Sequence, residues 1–93
     1  MILKNYQSQV LKKVKKMKSE VFAQRLQIAM YWKEWTGADL ARRSGLPAAT
    51  ISRYICGQRL PNVARLVKLS KALDVSSDYL LGLSDAMKRS ETA

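Results

Sequence analysis

Lysine and arginine are the residues of this chain whose side chains are best suited to bind a ligand. Between Leu40 and Leu73 the sequence has no acidic residue but has seven cations, namely Arg42, Arg43, Arg53, Arg59, Arg65, Lys68 and Lys71. A guanidinium can pair with the edge of a guanine or with a phosphate, and an ammonium can neutralise a phosphate. The whole chain has 17 Lys and Arg against 7 Asp and Glu, a formal net charge of +10. Such a surface attracts polyanions, of which nucleic acid is the commonest.

A second basic block occupies the first nineteen residues, which also contain no acid. Its lysines are Lys4, Lys12, Lys13, Lys15, Lys16 and Lys18. These lysines either solvate one face of a helix or contact a DNA backbone. A further possibility is a basic amphipathic helix that lies on an anionic membrane surface. The sequence leaves these roles open.

Residues suited to catalysis or metal binding are scarce. The chain has no histidine, a single cysteine and seven scattered acids, so the usual general base and a usual zinc ligand are missing. Cys56 has no partner for an internal disulfide and is interpreted as a small packing residue. No apolar run approaches the ~20 residues that a membrane span needs. We therefore expect a soluble, cytoplasmic protein that is not an enzyme and binds no metal, cofactor or small-molecule ligand.

The elements that must position the basic residues are all predicted to be helical. Apolar residues at three- and four-residue steps predict one amphipathic helix from Leu3 to Met17 and a second from Glu20 to about Glu34. No glycine or proline separates the two helices, so the join around Ser19 is left open. The first helix carries the apolar stripe Leu3, Tyr6, Val10, Val14 and Met17.

Two short helices joined by a three-residue turn are predicted next. Thr36 is a good N-cap, and Asp39 lies where a carboxylate favours the positive end of a helix. This helix should end near Ser44, because Gly45 can adopt the left-handed conformation. The following helix is predicted over residues 47–56, with Ile51 and Tyr54 on its inward side and Gly57 as its terminator.

The remaining chain is predicted to add two more helices and a tail. Asn62 is a good N-cap for a helix with the stripe Val63, Leu66, Val67, Ser70 and Leu73, and a last short helix, capped by Ser76 or Ser77, should end at Gly82. The polar segment after Leu83 has no repeated apolar face. The sequence therefore divides into a basic helical extension (1–19), a domain (20–83) and a flexible C-terminal tail (84–93).

One continuous pattern runs through this domain. It reads Asp39-Leu40-Ala41-x-x-Ser44-Gly45-Leu46-Pro47-x-x-Thr50-Ile51-Ser52-Arg53-Tyr54-x-x-Gly57-x-x-x-Pro61 and then Leu66-x-x-Leu69-Ser70-x-Ala72-Leu73-x-Val75-Ser76-x-Asp78-Tyr79-Leu80-Leu81-Gly82. In this pattern the chain resembles the Cro/phage-repressor-like (XRE) helix-turn-helix family, over about residues 22–83. The resemblance implies an all-α, five-helix lambda-repressor-like DNA-binding domain, here with an extra basic N-terminal helix. It also implies that the third domain helix enters the major groove of double-stranded DNA, usually as a homodimer.

Candidate DNA contacts follow from this arrangement. Side chains on the solvent side of the helix 47–56, near its start, are expected to read bases, and they are Ala48, Ala49, Thr50, Ser52 and Arg53. Arg53 either pairs with a guanine or contacts only phosphate. Residues at helix starts and at the rim are expected to contact phosphate, and they are Thr36, Arg42, Arg43, Gln58, Arg59 and Asn62. Arg65 and Lys71 are interpreted as ordinary solvated residues.

Three features depart from the family pattern. Gly37 stands where many members have a glutamine, so the contact that this glutamine makes is lost or replaced. Met30 and Ile55 stand where the family often has an arginine and a glutamate, which predicts an apolar contact instead of an ion pair. The third departure is the N-terminal extension, which could cover an apolar patch around Tyr31 and Trp32, either within the chain or across a dimer.

These observations predict a sequence-specific DNA-binding transcriptional regulator, a repressor that reads the major groove with the helix 47–56. An antitoxin-type or other protein-interaction module can use the same fold, and nonspecific nucleic-acid binding is a third possibility. Salt dependence separates them, because the affinity of a DNA-binding protein falls steeply with salt.

Overall fold

The computed structural model describes residues 2–88, with the side chains of residues 13, 14 and 16–88. It contains five α-helices within that range. They are α1 (Ile2–Lys33), α2 (Gly37–Ser44), α3 (Ala48–Ile55), α4 (Val63–Leu73) and α5 (Ser77–Leu80). The described chain forms no strand, and one isolated antiparallel bridge joins Val75 to Lys88. The expected all-α helix-turn-helix fold is confirmed.

The first helix is longer than either of the two predicted from the sequence. α1 continues through Ser19 for 32 residues, and at about 1.5 Å per residue it spans about 48 Å. The Ser19 hydroxyl is buried and donates to the carbonyl of Lys16 (2.9 Å). The extension is therefore helical but not a separate element. A continuous helix cannot fold its first half onto its second, so the N-terminal stripe does not cover the apolar patch of its own chain.

The second half of α1 forms one wall of the core. Phe22 and Leu26 are fully buried, and the ring of Phe22 meets the edge of Tyr54 in α3 at 5.7 Å between centroids. The other fully buried large side chains come from all of the shorter helices, and they are Leu40, Ile51, Tyr54, Leu69, Leu73 and Leu80. This core fixes α3 against α1 and α2. Trp35 is half-buried and packs against the edge of the core.

Local signals set the bounds of the helix-turn-helix. The Thr36 hydroxyl accepts from the backbone N–H of Asp39 (3.2 Å), while the Asp39 carboxylate accepts from the backbone N–H of Thr36 (2.9 Å), so both donors at the start of α2 are satisfied. α2 ends at Gly45, which has a φ of 74°, a conformation that is costly for residues with a Cβ. α3 then ends before Gly57, whose φ is 75°.

The C-terminal segment differs from the predicted tail. Residues 84–88 pack on the domain, because the backbone N–H of Ser76 donates to the carbonyl of Met87 (2.8 Å) and the Ser76 hydroxyl donates to that of Ala86 (3.0 Å). Arg25 of α1 also binds the carboxylate of Asp85 (2.9 Å) and stacks on the ring of Tyr79. The flexible tail predicted from residue 84 onward is thus not found over 84–88, and residues 89–93 lie outside the described range.

Candidate nucleic-acid interface

The two sides of α3 face different environments. Ile51 and Tyr54 are buried in the core, which leaves the opposite side of the helix open to a ligand. Four of the five residues predicted to read bases are exposed, namely Ala48, Ala49, Ser52 and Arg53. The fifth, Thr50, is half-buried. The structure therefore brings these five residues together on the outer side and first turn of one short helix.

The start of α3 is not capped by a side chain. Pro47 occupies the N-cap position and offers no side-chain acceptor, whereas α2, α4 and α5 are capped by the side chains of Thr36, Asn62 and Ser76. The first backbone N–H groups of a helix have no partner within the helix and lie at the positive end of its dipole. In α3 these groups lie beside the candidate base-reading residues, where they can donate to an anion.

A basic cleft of about 220 Å³ lies beside α3. It is lined by Thr50, Arg53, Tyr54, Arg59, Leu60, Asn62 and Arg65. Four of these residues were predicted as DNA contacts: Thr50, Arg53, Arg59 and Asn62. The cleft combines three guanidinium groups with no acidic residue, so it suits an anion such as a phosphodiester.

Arg65 is the residue of this cleft that sequence reasoning missed. Its backbone N–H donates to the side chain of Asn62 (2.9 Å), in the first turn of α4. That turn faces the exposed side of α3, so Arg65 lines the same cleft as Arg53 and Arg59. The spacing of three residues puts Arg65 in the same helical turn as Asn62, but it does not show that this turn lies beside Arg53.

The three candidate phosphate contacts of α2 lie outside this cleft. Thr36 uses its backbone N–H and its hydroxyl in the cap of α2. Arg42 pairs with Asp39 (3.0 Å), and the guanidinium of Arg43 lies 4.9 Å from the ring centroid of Trp35. Both arginines remain exposed, so they keep the α2 surface positive without adding to the cleft.

The carboxyl group of Asp39 is perturbed by this arrangement. The backbone N–H of Thr36 donates to it and lowers its pKa, with further lowering by the Thr36 hydroxyl and by the charges of Arg42 and Arg43. The hydrogen bonds act because they favour the ionised form of the acceptor. Asp39 therefore serves as an ionised cap of α2.

A second, larger cavity of about 640 Å³ separates α1 from the loop that follows α3. Its lining residues are Lys16, Ser19, Gly57, Gln58, Arg59 and Leu60. Gln58, which was predicted to contact phosphate, lies here, and Arg59 lines both this cavity and the cleft beside α3. The position of Lys16 next to this loop was not foreseen, because it depends on α1 being continuous.

Gly37 is explained by its neighbour across the helix-turn-helix. A Cβ at this position would lie 3.3 Å from Cδ1 of Ile55, which is tighter than an ordinary van der Waals contact. The carbonyl of Ile55 also accepts from the side chain of Gln27 in α1 (2.9 Å). Met30 is buried and Ile55 packs against the same core, so apolar packing occupies the positions where the family often has an ion pair.

The described residues contain neither a metal-binding cluster nor a membrane-spanning helix. Within residues 2–88, no group of three or more His, Cys, Asp or Glu side chains could hold a metal ion. None of the helices in that range is long and apolar enough to cross a membrane. Cys56 is exposed at the end of α3, so it is not the packing residue that its small size suggested.

Comparison with known proteins places the chain by family only. A family model described as helix-turn-helix matches residues 32–80, which is more than half of the 93-residue chain. The matched stretch begins in the last turn of α1 and includes α2, α3, α4 and α5. No curated protein and no solved structure gave a match.

Proposed function

The chain belongs to the XRE-like helix-turn-helix family of DNA-binding proteins, and from that premise we propose that it is a sequence-specific transcriptional regulator. In this proposal α3 enters the major groove of double-stranded DNA. The observation that carries it is the basic cleft on the exposed side of α3, where Arg53, Arg59 and Arg65 converge without an acid. The assignment as a repressor, which would act by occupying its operator, rests on the resemblance to phage repressors.

Base reading is assigned to the exposed side of α3. Arg53 can donate two hydrogen bonds to O6 and N7 of a guanine, a contact that contributes about 1–3 kcal/mol of discrimination. Ala48 and Ala49 can touch only a thymine methyl group, while the hydroxyls of Thr50 and Ser52 can add one hydrogen bond each. Arg53 is therefore the main reader, and the rest of the specificity comes from weaker contacts and from DNA shape.

Backbone contacts are assigned to the residues around α3. Arg59, Asn62 and Arg65 border the cleft on the α4 side, and Gln58 lies next to them in the loop. Three residues outside the cleft are also assigned to phosphates, namely the N-cap Thr36 and the exposed Arg42 and Arg43 of α2. Contacts of this kind fix the register of the protein on the duplex without reading sequence.

The Arg53→Ala variant tests the assignment of α3 as the reader. A duplex selected from a random pool by the wild-type protein would be changed one base pair at a time, and the affinity of both proteins for each duplex would be measured. We expect the variant to lose about 1–3 kcal/mol of preference at one base pair and to keep the others. The control is Lys71→Ala, which removes a charge from the exposed last turn of α4 and should change no preference.

Two results would overturn the assignment. Uniform weakening on all duplexes would make Arg53 a phosphate contact, and an unchanged preference at every position would remove α3 from base reading. Loss of the fold is separable, since the variant replaces an exposed side chain and its helical circular dichroism should match that of the wild type.

We further propose that the protein acts as a homodimer joined along α1. The exposed side of α1 carries an apolar stripe at alternating three- and four-residue steps, formed by Val14, Met17, Val21, Ile28 and Tyr31. It lies largely opposite Leu26, which faces the core. A repeat of this spacing packs one helix against another, and Gln24, a polar residue in the same series, can fix their register.

The C-terminal end of this stripe supports a second candidate function, a module that binds another protein. Tyr31 and its neighbour Trp32 are 76% and 70% exposed and their rings are 6.1 Å apart, and a contiguous exposed apolar patch often marks an interaction site. Measuring association over a range of salt concentrations separates the two functions. Salt-insensitive capture of a protein partner without duplex binding would favour the second, and duplex binding that weakens steeply with salt would favour the first.

A further inference from the structure

The cavity between α1 and the loop after α3 has a specific origin in the backbone. The loop turns at Gly57, where a Cβ would lie 3.7 Å from the carbonyl oxygen of Ser19 and from Cα of Glu20. The loop therefore contacts α1 at Ser19 and Glu20, just before the buried half of this helix. The helix continues past this point toward its N-terminus, so the cavity opens between the loop and the turn of α1 that carries Lys16.

Positive charge dominates this cavity. Lys16 and Arg59 are both exposed and line it from opposite sides, and no acidic side chain is among its lining residues. The side chain of Gln58 adds a neutral group with hydrogen-bond donors. Lys13, one turn before Lys16, is also exposed, so the positive surface continues along α1 away from the domain.

The cavity is continuous with the cleft beside α3. Arg59 and Leu60 line both, so a strand whose phosphate reaches Arg59 from the cleft passes Lys16 next. The cavity, of about 640 Å³, has room for a phosphate group between Lys16 and Arg59.

We propose that this cavity is a second DNA-backbone site, which takes a phosphate of the same duplex outside the base pairs that α3 reads. The site rests on the proposed function and adds a contact beyond the helix-turn-helix, because Lys16 precedes the stretch 32–80 that matches the family. The N-terminal part of α1 thus lengthens the footprint of the protein on DNA. Its contribution is to affinity and register, with no reading of sequence.

The Lys16→Gln variant tests this site. Lysine and glutamine have similar helix propensities, so α1 is retained while one charge is lost. The variant neutralises one phosphate fewer per protomer than the wild type. On a duplex that extends beyond the base pairs read by α3, it should therefore bind about fivefold to tenfold more weakly at ~0.1 M salt. It should also reduce the slope of log K against log salt by about 0.9 per protomer. On a duplex trimmed to the base pairs read by α3, the wild type and the variant should bind alike.

Lys18→Gln is the matched control. Lys18 is exposed on the same helix but lies about 200° around it from Lys16 and does not line the cavity. We expect the control to bind both duplexes with the wild-type slope, apart from a small change due to the lower net charge.

The outcomes separate this inference from the proposed function. Equal effects of Lys16→Gln and Lys18→Gln on the long duplex, or an equal effect of Lys16→Gln on the long and trimmed duplexes, would overturn the second site while leaving base reading by α3 intact. A wild-type protein that binds no duplex, or binds all duplexes alike, would overturn the proposed function and the second site with it.

Discussion

Asp39 couples the stability of the helix-turn-helix to pH. Its pKa is lowered in the folded protein, first by the hydrogen bond from the backbone N–H of Thr36, and it returns to its ordinary value on unfolding. The stabilisation is therefore present above the ordinary pKa and is lost as the pH falls through the lowered one. Asp39→Asn should reduce the free energy of unfolding at neutral pH and have progressively less effect in acid.

Urea unfolding from neutral to strongly acidic pH measures this effect. Asp74→Asn is the control, because Asp74 lies at the C-terminal end of α4 in a left-handed conformation that asparagine also tolerates. A carboxylate is not favoured at that end of a helix, so the control should be neutral or slightly stabilising. If Asp39→Asn lowers the free energy of unfolding by the same amount at every pH, the charge of the carboxylate is not what stabilises α2.

Single residues were predictable from the sequence where their role is local. The cap formed by Thr36 and Asp39 and the left-handed Gly45 follow from residue types a few positions apart, and the structure has them as predicted. Arg65 was not assigned to the interface, because its proximity to Arg53 depends on how the loop after α3 brings the first turn of α4 to the cleft. Spacing along the chain contains no information on the path of this loop.

At the scale of elements, the sequence predicted helix bounds better than helix continuity. α2 and α3 begin and end close to the expected residues because caps and glycines mark them. Around Ser19 neither signal is present, and the helix runs on. The packing of residues 84–88 was missed because part of it uses backbone groups, as in the bond from the N–H of Ser76 to Met87. Its side-chain contact between Arg25 and Asp85 joins residues that are sixty positions apart.

The continuity of α1 gives a prediction for the homodimer. Ile28 lies in the exposed stripe and contributes to a shallow groove on α1 together with Gln24, Gln27 and Tyr31. Placing a charge in an apolar seam is unfavourable, so Ile28→Glu should raise the dissociation constant of the dimer about tenfold or more, which corresponds to about 1.4 kcal/mol. Sedimentation equilibrium over a range of protein concentrations measures it.

Val67→Glu is the matched control for this substitution. Val67 on α4 is 42% exposed, the same fraction as Ile28, but it lies on a different helix from the stripe. The control should leave the dissociation constant of the dimer unchanged. A wild-type protein that remains monomeric at high concentration, or equal effects of the two substitutions, would contradict a dimer joined along α1.

At the scale of the whole molecule, charge and shape act together. The net charge of +10 predicted a polyanion as the partner. A net charge does not show where the cations lie, so their convergence on one surface was not predictable from it. The structure places the Arg53 cleft, the loop at Arg59 and the turn of α1 at Lys16 in one series. In the proposed second site, the part of this surface on α1 contacts the duplex outside the groove that α3 enters.

As a sequence-specific regulator, the protein is expected to bind one DNA sequence in preference to others. This preference is measured as the ratio of affinities for a duplex selected from a random pool and for the same duplex with its base pairs scrambled, at ~0.15 M salt. We expect a ratio of about 10³ or more, as is typical of specific regulators, with both affinities falling as salt is raised. Equal affinities for the two duplexes would contradict it.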